Sequence, residues 1–142
     1  MWQPTHSESF HVPEQTAAAI TKTKHERRRI VAVGTTVVRA LEAASHAGGG
    51  VAAGHGVARG RISKGSKLAV ADFLLTGVHE PGDSHFELLR AFADDLVLAR
   101  MSERLNECRF QGHDFGDSVL LERSTATEGR YAPSSSSLSV PW

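Results

Sequence analysis

Hydrophobic and polar positions change rhythm several times along this chain, and each change marks an element. Residues Val12 to Arg29 read as a helix: Pro13 suits a first helical position, Glu14 complements the positive end of the helix dipole, and Ala17-Ala18-Ala19-Ile20 supplies helix formers with a buried edge. Ile30-Val31-Ala32-Val33 follows at once, a continuous apolar run with three β-branched members. That is the pattern of a strand buried on both faces of a parallel sheet. Gly34-Thr35-Thr36 interrupts it, and helical spacing resumes from Val37 to Ala47 with Val38, Leu41 and Ala44 on one side. Helix, buried strand, glycine turn and helix in succession spell an α/β fold.

Gly48-Gly49-Gly50 ends this helix and opens a glycine-rich stretch through Gly60, expected to be a mobile loop because glycine loses most entropy on ordering. A second buried strand is predicted over Lys67 to Leu75, carried by Val70, Phe73, Leu74 and Leu75. Ser84 and Glu87 stand at capping-box spacing, so a helix is expected to open at Ser84, with Phe86, Leu89 and Phe92 on its apolar face. Asp94-Asp95 restarts a helix through Cys108, with Leu98, Met101 and Leu105 spaced three and four apart. Phe110 to Asp117 reads as a loop and Ser118 to Leu121 as a final short strand. From Arg123 onward, serines and prolines leave little to bury, which predicts a disordered tail. The predicted architecture is a partial α/β domain over residues 6–122, with a largely parallel buried sheet and flanking helices, followed by a disordered C-terminal tail over 123–142.

Composition narrows the function classes. The 142 residues suit one domain, with 40% hydrophobic and 23% charged positions. No apolar run approaches the ~18 residues of a spanning helix, and Met1 to His6 lacks the basic and apolar regions of a secretory leader. A cytoplasmic protein with no membrane partner is therefore expected. The 16 Lys and Arg balance the 16 Asp and Glu, so any nucleic-acid contact must be local. The local cluster is Lys22, Lys24, His25, Arg27, Arg28 and Arg29, which equally suits the cationic last turn of a helix. Cys108, the single cysteine, excludes an internal disulfide and a cysteine-based zinc site, and is expected as a half-buried helix residue.

Two loops are candidates for chemistry, because ligands of open α/β sheets bind beyond the carboxyl ends of strands. Gly34-Thr35-Thr36 places backbone donors and two hydroxyls at a helix N-terminus, fit for an anion or for a plain threonine cap. Between Thr76 and His85, His79 and His85 flank a Pro-Gly-Asp turn with Glu80 and Asp83 close by. A proton-transfer histidine oriented by a carboxylate, a metal site, and a surface loop with capping residues all fit that stretch. Two histidines six apart with no paired ligand motif argue against the metal. His6-Ser7-Glu8 is a further His/carboxylate pair on an extended segment.

Taken in order, His6-Ser7-Glu8-Ser9-Phe10-x-Val12-Pro13, Arg29-Ile30-Val31-Ala32-Val33-Gly34-Thr35-Thr36-Val37-Val38-Arg39-Ala40-Leu41-Glu42, Asp72-x-Leu74-Leu75-Thr76-x-x-His79-x-Pro81, Ala91-Phe92-Ala93 and Phe115-Gly116-Asp117 resemble a known family. The chain is similar to the C-terminal part of the S-adenosylmethionine:tRNA ribosyltransferase-isomerases of queuosine biosynthesis (the QueA family). The run from Ala32 to Glu42 is the specific part of the match.

The resemblance implies transfer of the ribosyl part of S-adenosylmethionine to 7-aminomethyl-7-deazaguanine in tRNA. Adenine and methionine leave, and the ribosyl group rearranges to an epoxycyclopentanediol, giving epoxyqueuosine. S-adenosylmethionine is then a ribosyl-donor substrate, with no metal. On this footing His79 is a candidate acid/base, and Gly34, Thr35, Thr36, Arg39, Thr76 and Asp117 are candidates for binding substrate. The chain departs from the family pattern at Gly77-Val78, Glu80 and Asp83-Ser84 around that histidine, and upstream at Ala58 and Lys64-Gly65-Ser66. The family's N-terminal portion has no counterpart here, so the chain is expected to be inactive alone and to need a separately encoded N-terminal half. A non-catalytic remnant or small anion- or nucleotide-binding module is the alternative.

Overall fold

Two helices end on arginines that adopt a conformation usually left to glycine. In the computed structural model, which describes residues 7–112 and 116–125, α1 spans Glu14–His25 with Pro13 as its cap. Arg27 then turns left-handed at φ 54°. The N–H of Arg28 donates to Thr23 O at 2.9 Å and that of Arg27 to Lys24 O at 3.0 Å, the paired bonds of a Schellman ending. Helix α1 is thus four residues shorter at its end than expected, because Arg27 accepts the strain that a glycine would have announced. The last long helix closes in the same way on Arg109, at φ 57°.

The chain then enters β2 (Val31–Val33) after β1 (Glu8–Val12) and α1, turns at Gly34, and forms α2 (Thr35–Ala43). Gly34 sits at φ 96°, where only glycine is unstrained, and its N–H extends the sheet ladder to Leu75 O at 2.8 Å. Strand β3 (Gly54–Ala58) follows, where a mobile loop was expected. It pairs antiparallel with β1, Phe10 opposite Gly56. A Cβ on Gly56 would lie 2.4 Å from the Phe10 ring, so this glycine admits an aromatic cover rather than flexibility.

The next strand, β4 (Phe73–Gly77), starts later than the apolar run suggested. Glu42 takes the preceding backbone: its carboxylate accepts from the N–H of Ala69, Val70 and Ala71 at 2.7, 2.9 and 3.0 Å. Val70 and Ala71 are buried but form no ladder. Asp72 adds a second tie, accepting from Ile30 N–H and pairing with Lys24 and Arg123. Helices α3 (Ser84–Leu89) and α4 (Asp95–Glu107) are capped by Asp83 and Asp94. Asp83, not Ser84, is the cap, and Glu87 pairs with Arg90 instead of closing a capping box. Cys108 follows α4 and is exposed rather than half-buried.

Strand β5 (Ser118–Glu122) runs antiparallel to β4, while β2 runs parallel to it. The sheet of order β2-β4-β5 is therefore mixed, and β1-β3 forms a separate antiparallel pair. The expected largely parallel sheet is corrected: three apolar residues, Val119 to Leu121, define a strand but carry nothing that sets its direction. The expectation of two-sided burial is corrected as well. Ala32 and Leu74 face the core, whereas Val31 and Val33 are 52% and 64% exposed. One core lies on the covered face of this sheet and includes Val38, Leu89, Phe92 and Leu98; a second joins Val12, Ile20, Ile30, Leu41 and Val51. Arg123 and Ser124 are tied to Asp72 and Phe92, and the rest of the expected tail, from 126, lies outside the described residues. His6 and Phe115 lie outside them too. No helix among the described residues is long and apolar enough to cross a membrane.

Candidate functional site

Because β2 and β4 are parallel neighbours, their carboxyl ends emerge side by side, and antiparallel β5 begins at that same end. A cavity of about 690 Å³ opens there, lined among others by Gly34, Thr35, Thr76, His79, Asp83, His85 and Asp117. Such a volume falls within the roughly 300–1,000 Å³ of small-molecule sites. Three segments far apart in sequence meet in it: the Gly34 turn, the loop after β4, and the approach to β5.

The loop after β4 is built around one imidazole. His79 is half-buried; its Nε2 lies 3.0 Å from the hydroxyl of Thr76, the last inward-facing residue of β4. On the other side of the ring, Nδ1 stands 3.5 Å from Asp83 Oδ2. Asp83 is itself fixed, since its Oδ1 accepts from His85 N–H at 3.0 Å at the start of α3. The His85 ring meets His79 edge-on at 5.0 Å between centroids. Hydroxyl, imidazole and carboxylate are thus in line, an order that orients an imidazole and lets it exchange a proton with the hydroxyl.

Electrostatics favours the neutral ring. Burial pushes the His79 pKa below its ordinary 6.5, the neighbouring His85 pushes it the same way, and Asp83 only partly opposes them. The Asp83 carboxyl is held below the usual range, first by the His85 backbone N–H and then by both imidazoles. At neutral pH the loop therefore presents an uncharged imidazole able to take up a proton. His79, Asp83 and His85 each offer one donor atom within 4.8 Å of the others, a spacing one transition-metal ion could span. The helix cap and the orientation of His79 already account for that clustering.

Among the other expected site residues, the structure separates those in the wall from those outside it. Gly34 and Thr35 put the start of α2 in the cavity, where the helix dipole favours an anion. The cap of α2 is Gly34, which has no side chain, rather than a threonine. Thr36 is exposed and outside the wall, because it sits one position further round the helix. Arg39 is also outside: its guanidinium pairs with Glu8 Oε1 at 2.7 Å and donates to Gly60 O at 3.0 Å. It borders a smaller concavity that shares Thr35 and His85 with the main one. Asp117 lines the cavity, yet one of its carboxylate oxygens accepts from Gln111 N–H at 2.8 Å and so shapes the loop. Glu42 had no role beyond the resemblance, and its three backbone bonds were invisible without the fold.

Comparison with known proteins gives a consistent set of relatives. The family profile described as "Queuosine biosynthesis protein" matches residues 2–121. An S-adenosylmethionine:tRNA ribosyltransferase-isomerase of Deinococcus radiodurans is 43% identical over 122 residues, covering 85% of this chain and 33% of that protein. Its counterpart in Azoarcus sp. is 40% identical over 119 residues, covering 84% of this chain and 34% of that protein. The crystal structure of an S-adenosylmethionine tRNA ribosyltransferase from Thermotoga maritima superposes with a TM-score of 0.68 at 27% identity, covering 79% of this chain and 39% of that one. The chain spans about a third of the length of these curated relatives.

Proposed function

The chain belongs to the family of queuosine biosynthesis proteins, and from that premise we propose that it forms one wall of a site for ribosyl transfer from S-adenosylmethionine to tRNA. The acceptor is 7-aminomethyl-7-deazaguanine and the product epoxyqueuosine, made in the cytoplasm. The observation that carries this reading is convergence. Gly34, Thr35, Thr76, His79 and Asp117, singled out by the resemblance, come from three segments and line one cavity.

The residues divide the work by chemistry. The start of α2 at Gly34 and Thr35 suits the carboxylate of the sulfonium donor or a tRNA phosphate. His79, neutral and oriented between Thr76 and Asp83, is the group that takes up a proton as the ribosyl carbon skeleton begins to rearrange. Reactive intermediates need a site closed to water, and the cavity in this chain is open on one side. The matched relatives are about three times as long as the stretch they share with this chain, so the wall on that side is expected from the part of the family's length outside this stretch, and these 142 residues by themselves are expected to be inactive.

One observation favours a second reading, a small anion-binding module without catalysis. The departures from the family pattern at Gly77, Val78, Glu80 and Asp83 all fall in the cavity wall. Nucleoside analysis of tRNA carrying the aminomethyl base separates the readings. With S-adenosylmethionine, the chain alone is expected to give no epoxyqueuosine, and the chain joined by the remaining portion of a relative is expected to give it. In that active pair, His79→Ala should cut turnover ~10²–10⁴-fold. Product from the chain alone, or none from a well-formed pair, overturns the proposal.

A further inference from the structure

The proposed proton transfer uses Thr76, His79 and Asp83 and leaves the ring of His85 without a task. The cap of α3 takes only the backbone N–H of residue 85, which donates to Asp83 Oδ1, and any residue but proline offers that donor. The ring nevertheless turns back on the loop. Nδ1 of His85 stands 3.8 Å from Asp83 Oδ1, and Nδ1 of His79 stands 3.5 Å from Asp83 Oδ2. Both gaps are wider than an ordinary N–H···O bond. They are close to the roughly 3.4 Å between ligand atoms that share one tetrahedral ion through bonds of ~2.0–2.2 Å. All three donor atoms lie within 4.8 Å of one another.

The sequence builds this arrangement locally. Asp83 N–H closes a turn on Glu80 O at 3.1 Å, with Pro81 and then Gly82 at φ 96° in its centre, the pairing suited to a type II turn. That turn folds Asp83 and His85 back over His79. With its Nδ1 given to an ion, His79 donates its Nε2–H to Thr76 Oγ1, 3.0 Å away, the outer contact that fixes a ligating imidazole. The His85 side chain is 55% exposed and can swing to close the remaining distance. We propose that His79, Asp83 and His85 form a site for one divalent transition-metal ion, zinc by the character of its ligands, with the cavity giving room for a fourth. Two imidazoles and one carboxylate suit such an ion, whereas magnesium and calcium take oxygen ligands. Asp83 is a position where the chain departs from the family pattern, so this carboxylate is a feature of the chain and not of that pattern. Metal binding stands on these residues alone; its consequence rests on the proposed function. A bound ion takes the Nδ1 lone pair and holds the proton on Nε2, so a loaded site has no His79 base.

Metal titration of the full 142-residue chain tests the site. Co²⁺ should bind at one ion per chain with the visible absorption of tetrahedral coordination. Zn²⁺ should displace it and Mg²⁺ should not. Asp83→Asn keeps the helix cap, and His85→Ala keeps the backbone N–H. Each should weaken Co²⁺ binding ~10-fold or more, at least what the loss of an outer contact costs. NMR of the histidine rings needs no variant: Zn²⁺ should shift the His79 and His85 signals of the native chain together. The exposed cross-strand pair His11 and His55, 4.4 Å apart between ring centroids, is the internal competitor. Absence of saturable Co²⁺ binding, unchanged affinity in either variant, or Zn²⁺ shifts at His11 and His55 instead overturns the proposal. In the active pair of this chain with the remaining portion of a relative, saturating Zn²⁺ should cut turnover ~10²-fold or more. Zinc bound at His79 with turnover unchanged keeps the site and overturns the proposed role of His79 instead.

Discussion

The two faces of the β2-β4-β5 sheet are made by the same strands from the same kinds of residue, and they have opposite fates. Leu74 and Leu121 are buried on one, while Val33 and Leu120 on the other are more than half exposed. The difference teaches that apolar pattern reports the burial a strand is built for, whereas the structure reports the burial that the described residues supply. Where the two disagree, apolar side chains are left at the surface.

The largest effect should come from the covered face. Leu74→Ala removes a fully buried side chain and should cost about 2–5 kcal/mol, against no more than about 0.5 kcal/mol for Val33→Ala. Urea unfolding of both variants measures the contrast. Equal losses would mean that the faces are not distinct in solution.

A smaller effect is expected at Glu42, which anchors the chain just before it enters β4. Glu42→Gln keeps the shape but turns an amide N–H₂ toward backbone donors that now meet carboxylate oxygens. A loss of about 1–3 kcal/mol should follow, with faster hydrogen exchange within Ala69, Val70 and Ala71, since the amide oxygen can replace only one of the two carboxylate oxygens. Unchanged exchange there would remove Glu42 from the account. This residue also marks how far sequence could go. Val31 to Val33, α4 and β5 were legible, because a local apolar rhythm is enough to declare them. The start of β4 was not, because a carboxylate 27 residues away in sequence from Ala69 decides it. The end of α1 was hidden by arginine in a glycine conformation, whereas that of α4 fell where expected, and β3 was hidden by glycines, of which Gly56 makes room for Phe10.

The site shows the same division. Gly34, Thr35, Thr76 and His79 lie beside strand ends, so a rule about strand ends found them. Thr36 and Arg39 share their segment but not their direction, which only the helix phase and the Glu8 pairing reveal.

The smallest effect is a pH dependence at the end of the sheet, where the covered and open faces meet the cavity. Burial holds the folded His79 pKa below 6.5. Between that lowered value and 6.5, the unfolded chain binds more protons than the folded one. Stability is then complete above 6.5 and declines as pH falls toward the folded pKa. The urea midpoint should drop between pH 7.5 and 5.5 by slightly more in the native chain than in His79→Gln. Asp83, also held low, acts with the same sign only in stronger acid, below 3.8. Identical pH responses in chain and variant would show that the imidazole is not desolvated.

The most direct measurement reads both faces at once. Methyl NMR with a soluble paramagnetic relaxation agent should broaden Val31, Val33 and Leu120 strongly in the chain alone, and spare Leu74 and Leu121. Open-face methyls that are already shielded in the chain alone would contradict the account.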